Sequence, residues 1–235
     1  MTLLSVVKDV CARVGVTVPS AVVPAVNANR TMQEMLTCAN EMAQRIAYDT
    51  RGWGMLTETG TLVGDGTTIG FPLPANYKRL LLTSNVWRSN ARQQPLRFIA
   101  DPDEWLRRRS GVGETSSWGE WIIFGDNLRI YPPLAAGEQA QFLYLNKDCV
   151  ALSSGGHGDA FLNDADRFRL DERLLKLGMI FDWKQNKGSP YAEDMGTWSD
   201  AMAIAMGADK PMPIMIDRYP ISANARVAYP WPLPT

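Results

Sequence analysis

The polar and apolar positions of this chain alternate in two different periods. Over residues 168–207 apolar side chains recur every three to four positions, the period of an amphipathic helix. Leu170, Leu174, Leu177 and Phe181 make one stripe, with Asp171, Glu172, Arg173 and Lys176 mostly on the other side. Tyr191, Met195, Trp198, Met202 and Ala205 make a second. Gly188 lies between them and is expected to stop the first helix. Ser189 then reads as the N-cap of the second, with Pro190 in its first turn and Glu193 and Asp194 where negative charge is favoured. So short a connection predicts two antiparallel helices side by side.

The same period appears near the N-terminus. Leu3, Val6, Val7, Val10 and Val14 predict a short helix capped by Thr2 and ended by Gly15. A connector with Pro19 and Pro24 follows. Met32, Met35, Leu36, Ala39, Met42, Ala43 and Ile46 predict a longer helix over 30–49, capped by Asn27 or Asn29.

From residue 55 to 146 the period falls towards two, which predicts strands. Thr57, Thr59, Thr61 and Val63 lead to Gly64-Asp65-Gly66, read as a hairpin with 67–71 returning. Strands are expected at 80–86, 97–99, 118–124, 128–131 and 140–145, with a brief helix over 103–109. Gly125-Asp126-Asn127 marks a second hairpin. The expected class is α+β: a helical bundle from residues 1–54 and 160–207, an inserted antiparallel sheet or sandwich over 55–150, and an extended proline-rich arm over 208–235.

That arm breaks both periods. Pro211, Pro213, Pro220, Pro230, Pro232 and Pro234 exclude a helix. Yet Ile214, Ile216, Tyr219, Val227, Tyr229, Trp231 and Leu233 make it richer in apolar and aromatic residues than a disordered tail. It reads as an extended segment whose apolar anchors order on a partner.

Composition narrows the function. A net charge of −1 gives no bulk attraction for nucleic acid. Three scattered cysteines (Cys11, Cys38 and Cys149) and the single His157 argue against a zinc site or a disulfide framework, and favour a reducing compartment. Lys8, Asp9 and Arg13 interrupt the N-terminus before a signal peptide forms, and no stretch has the apolar length to span a membrane. Neither nucleotide-cradling glycine motif is present.

Ser153, His157 and Asp159 contain the residue types of a hydrolytic triad, but on one glycine-rich loop. Asp159, Asp164 and Asp166 are the candidate cation ligands, though helix capping by Asp164 or Asp166 accounts for them more simply. Arg107, Arg108 and Arg109 could meet phosphate, but fit a solvated helix end. No catalytic, cofactor or metal residue is singled out.

Four stretches together resemble a known family. They are SVVKDVCARVGVTVPSAVV, FPLPANYKRLL followed by VWRS, IIFGDNLRIYPPLAAGEQAQFLYL, and RLDERLLKLGMIFDWKQNKGSPYAEDMGTWSDAMA. They look like the head-to-tail adaptors of tailed bacteriophages, similar to the tail tubular or tail accessory adaptors of podoviruses. The resemblance covers residues 3–206 and rests on pattern and order rather than a catalytic motif. It implies a structural virion protein at the head–tail junction, made in the host cytoplasm. Its subunits would form a ring, usually twelvefold, beneath the portal protein. The ring would meet a tail tube, nozzle or hub protein and surround double-stranded DNA without reading its sequence. A tail-completion protein at another level, or a tail-associated cell-wall hydrolase, are the alternatives.

Overall fold

The computed structural model describes residues 1–49, 52–81, 84–90, 94–110 and 118–209. Helix α1 (Leu3–Val14) is capped as its sequence requires: the Thr2 hydroxyl accepts the Ser5 N–H and the Ser5 hydroxyl accepts the Thr2 N–H. Helix α2 (Arg30–Tyr48) starts at Asn29, whose side chain accepts the Thr31 N–H. Both bury the predicted stripe apart from Val14 and Leu36, which are half-buried.

The strand region is β1 (Thr57–Val63), β2 (Gly70–Pro72), β3 (Tyr77–Leu80), β4 (Trp87–Arg88), β5 (Arg97–Phe98), helix α3 (Pro102–Arg109), β6 (Glu120–Phe124), β7 (Asn127–Tyr131) and β8 (Gln139–Asn146). Three short strands follow: β9 (Val150–Ala151), β10 (His157–Gly158) and β11 (Arg167–Phe168). Helices α4 (Glu172–Asn186) and α5 (Ala192–Ala208) close the described chain. The fold is α+β.

One sheet has the order β1-β8-β3, with β4 also on β8; a second has the order β2-β7-β6-β5. Leu62, Ala140, Phe142 and Tyr144 from the first sheet share a buried core with Phe71, Trp121, Leu128 and Ile130 from the second. The two sheets therefore face one another as a sandwich.

The first predicted hairpin does not form. β1 pairs with β8, from Thr57↔Leu145 to Val63↔Gln139, while β2 crosses to β7. The turn residues are used differently. The Gly64 N–H donates to Glu138 O and the Gly66 N–H to Leu134 O, binding the end of β1 to the segment before β8. Asp65 accepts N–H groups from Thr67 and Thr68, at 2.9 and 2.7 Å, and turns the chain away. The second hairpin is present: β6 and β7 flank Gly125 and Asp126, both at positive φ (60° and 56°). Among the described residues of the predicted strand over 80–86 only Leu80 is in a strand, the last residue of β3, and β4 follows at Trp87. The pairing is not wholly antiparallel, because β5 runs parallel to β6. The glycine-rich loop holds β10, which pairs with β9.

Helix α4 is the axle of the helical half. It packs on α1, α2 and α5. Leu174, Leu175, Met179, Ile180, Phe181 and Trp183 are all buried, so it is covered on several sides rather than along one stripe. It begins at Asp171, whose carboxylate accepts the Arg173 N–H, later than the sequence reading placed it. Surface ion pairs link it to each neighbour: Lys176–Asp9 with α1, Lys187–Glu34 with α2 and Lys184–Asp194 with α5.

Its end explains a second correction. Ser189 is not an N-cap. Its N–H donates to Lys184 O at 2.9 Å and the Gly188 N–H to Gln185 O at 3.1 Å, a Schellman closure of α4 with Gly188 at φ 68°. Helix α5 starts after Tyr191 with no side-chain cap. It is the least buried helix. Met202 is buried, but Met195 is 47% and Ile204 73% exposed. No helix among the described residues is long and apolar enough to cross a membrane.

Candidate docking surfaces

Ser153, Asp164 and Asp166 serve to hold the loop that carries them. The Ser153 hydroxyl donates to Asp166 at 2.9 Å. Asp166 is buried and also accepts N–H groups from Ser153, Leu162 and Asn163 at 2.7–2.8 Å. Burial pushes its pKa up, but these hydrogen bonds outweigh it and hold the carboxyl below its ordinary 3.8. Asp164 accepts the N–H groups of Val22 and Val23, at 3.1 and 2.8 Å, and so fastens the 159–166 loop to the connector after α1. The expected capping of the following helix by Asp164 or Asp166 is not found: both hold connector and loop backbone, and Asp171 caps α4. His157 is exposed on β10. No three His, Cys, Asp or Glu side chains converge as a metal site among the described residues.

The arginine run is not a solvated helix end. Arg107 is exposed, but Arg108 and Arg109 turn inward to Glu120, which is fully buried, at 2.7 and 2.8 Å. Arg108 also pairs with Glu104 at 2.6 Å. Arg109 stacks over Trp105 and Tyr131, its guanidinium carbon 4.3 and 3.4 Å from the ring centres. This network ties α3 to the second sheet and leaves two of the three arginines unavailable to phosphate.

Two more carboxylates hold the first sheet. Glu58 accepts from Asn76, Tyr144 and Asn146 at 2.6–3.0 Å. Glu138 takes a bidentate clasp from Arg88, at 2.7 and 2.8 Å. Burial raises the Glu58 pKa less than its hydrogen bonds lower it, and the Arg88 clasp lowers that of Glu138. A general acid needs the opposite shift. These groups stay ionised and structural at neutral pH.

Two exposed surfaces stand apart from these networks. On the outer face of the first sheet, Thr59, Thr61 and Val63 of β1 lie beside Gln139, Gln141 and Leu143 of β8, and all are exposed. None is charged. Trp87 of β4 stands against them, 43% exposed. Two grooves meet there. One of 370 Å³ is lined by Thr59, Ser84, Asn85, Trp87, Gln141, Phe142 and Leu143. Another of 410 Å³ is lined by Trp87, Arg88, Ser89, Gln139 and Gln141. Solvated sheet faces normally carry charge, and the cores of interfaces are depleted of it. The second surface is the outer side of α5, where Glu193, Asp200 and Ile204 are exposed together; Met195, half a turn from Ile204, is exposed on the opposite side of the helix.

The sequence reading missed the sheet face. Its signal was present: the outward positions of 57–63 and 139–143 are Thr, Val, Gln and Leu, with no Lys, Arg, Asp or Glu. The predicted arm anchors Ile214, Ile216, Tyr219, Val227, Tyr229, Trp231 and Leu233 lie outside the described residues. Neither the protein-family models nor the curated proteins contain a match to this chain.

Proposed function

We propose that this chain is a structural subunit of a tailed-phage virion: a head-to-tail adaptor that forms a ring under the portal, joins it to the tail and surrounds the path of the DNA. The observation that carries the reading is that one subunit has two chemically different exposed surfaces. One is the uncharged face of the first sheet; the other is the outer side of α5, which exposes Glu193 and Asp200 beside Ile204. A ring closed by rotation needs such a heterologous pair, because each subunit meets its neighbours through different patches. The resemblance of residues 3–206 to the adaptor family agrees with it, and so does a carboxylate chemistry spent on structure. A net charge of −1 suits a conduit that must not grip passing phosphates. The partners are the portal protein, a tail tube, nozzle or hub protein, further copies of this chain, and DNA in transit.

Native mass spectrometry of the chain, alone and then mixed with its cognate portal, tests the proposal. The expected product is a complex with one copy per portal subunit. A chain that stays monomeric and never joins the portal overturns it.

A further inference from the structure

Strand β1 is an edge strand: β8 occupies one side, and no strand pairs with the other side among the described residues. Its hydrogen-bonding parity can be read directly. Gly64, one residue beyond β1, turns both its N–H and its C=O towards the segment before β8. Backbone groups alternate sides along a strand. Leu62, Gly60 and Glu58 therefore bond β8, and Thr59, Thr61 and Val63 aim theirs outwards; at Thr57 the N–H is taken by Gly54 O and only the C=O is left for an added strand. The other side of β8 agrees, because Gln139 and Leu143 bond the β4 side. The edge is seven residues long, about 20 Å, and carries none of the prolines or lysines that usually blunt one.

The C-terminal sequence has a matching parity. In Val227-Ala228-Tyr229-Pro230-Trp231-Pro232-Leu233-Pro234 every proline is even-numbered. Proline has no N–H, so a strand made here has one complete hydrogen-bonding side, from Val227, Tyr229, Trp231 and Leu233, and one blunt side. Three outward residues on β1 (Thr59, Thr61 and Val63), with the Thr57 C=O, face the complete side of this segment. Directly opposed residues share a sheet face. Tyr229 and Trp231 would then extend the uncharged outer face beside Thr59, Thr61 and Leu143.

We infer that Val227–Leu233 of a second copy adds to β1 as an antiparallel edge strand, with its prolines ending the sheet. This rests on the ring reading above. Two observations favour a neighbouring copy over the chain's own arm. First, the Gly54 N–H donates to the Asp209 carboxylate at 2.9 Å, so the chain leaves the described region just before the start of its own β1. In a ring of rotational symmetry, the neighbour's β1 lies at the same height. Second, residues 210–226 make 17 positions, about 50 Å as proline-rich extended chain. A chain of this size is about 45 Å across. Pairing within one subunit needs only the 20 Å return along β1, whereas the span to a neighbour matches the connector.

The test is hydrogen exchange on the full-length chain, as monomer and in the portal-bound assembly, with three variants. Peptides over residues 57–63 are expected to exchange at least tenfold more slowly in the assembly. Tyr229→Pro puts a proline on the pairing side and is expected to weaken assembly at least tenfold beyond Tyr229→Ala. Ala228→Pro puts one on the blunt side and is expected to leave assembly unchanged. An assembly whose 57–63 amides exchange as in the monomer overturns the inference and leaves the ring standing. Equal protection in the monomer overturns it in favour of the chain's own arm. If no assembly forms with the portal, the ring reading and this inference fall together.

Discussion

At the scale of single residues, buried carboxylates decide much of the stability. Asp166 serves three backbone N–H groups and the Ser153 hydroxyl. Asp166→Ala strands those donors and is expected to cost about 2–4 kcal/mol, read by urea denaturation. The pH dependence has a definite sign. The folded pKa lies below the ordinary value of 3.8, so the stabilisation is complete above that value and is lost as pH falls through the folded one. The stability gap between wild type and Asp166→Asn should therefore shrink below about pH 4. Glu120 is the other sensitive point. Glu120→Ala leaves Arg108 and Arg109 facing an empty buried site, and a loss of about 3–5 kcal/mol is expected in the same assay.

At the scale of elements, legibility followed the range of the interaction that fixes each element. Helices α1 and α2 were read nearly to the residue, because Thr2 and Asn29 cap through neighbours three and two positions away. The start of α5 was misread because Ser189 has two possible roles in its own neighbourhood, and closing α4 took it. Central burial hid α4 behind a single stripe, since a helix covered on several sides has little periodicity to show. The limits of β1, β7 and β8 were legible, and so was the β6–β7 pairing across its short turn; the limits of β3 and β4 and the partner of β1 were not. Nothing local in Thr57–Val63 says that residues 139–145 lie beside it. The docking face and free edge depend on that distant pairing, and so escaped the sequence reading. One contact makes the β1–β8 pairing testable. A Cβ at Gly60 would stand 2.4–2.8 Å from three ring carbons of Phe142. Gly60→Ala is expected to cost about 1–3 kcal/mol, seen as a lower urea midpoint.

At the scale of the whole molecule, the described residues hold their own cores. The helical core takes in α1, α2, α4 and α5, and the sandwich core draws on both larger sheets. Ending the chain after Asp209 keeps the Gly54–Asp209 hydrogen bond and both cores. The shortened protein is expected to melt within about 2 °C of the full chain, because every core residue among the described residues is kept. It should nonetheless fail to enter the portal complex, as native mass spectrometry would register. Saturation of portal rings at wild-type affinity would detach the arm from assembly.

The order of elements along the chain has a consequence for synthesis. Helices α1 and α2 leave the ribosome first, yet their main helical partner α4 begins at Glu172, more than a hundred residues after Tyr48. At ordinary translation speeds the gap is on the order of ten seconds. Through it, the valine and methionine stripes of the nascent helices stay open to water, to chaperones and to other nascent chains. Protease challenge of stalled ribosomes should find residues 3–48 cleavable until α4 has emerged from the exit tunnel, and protected afterwards.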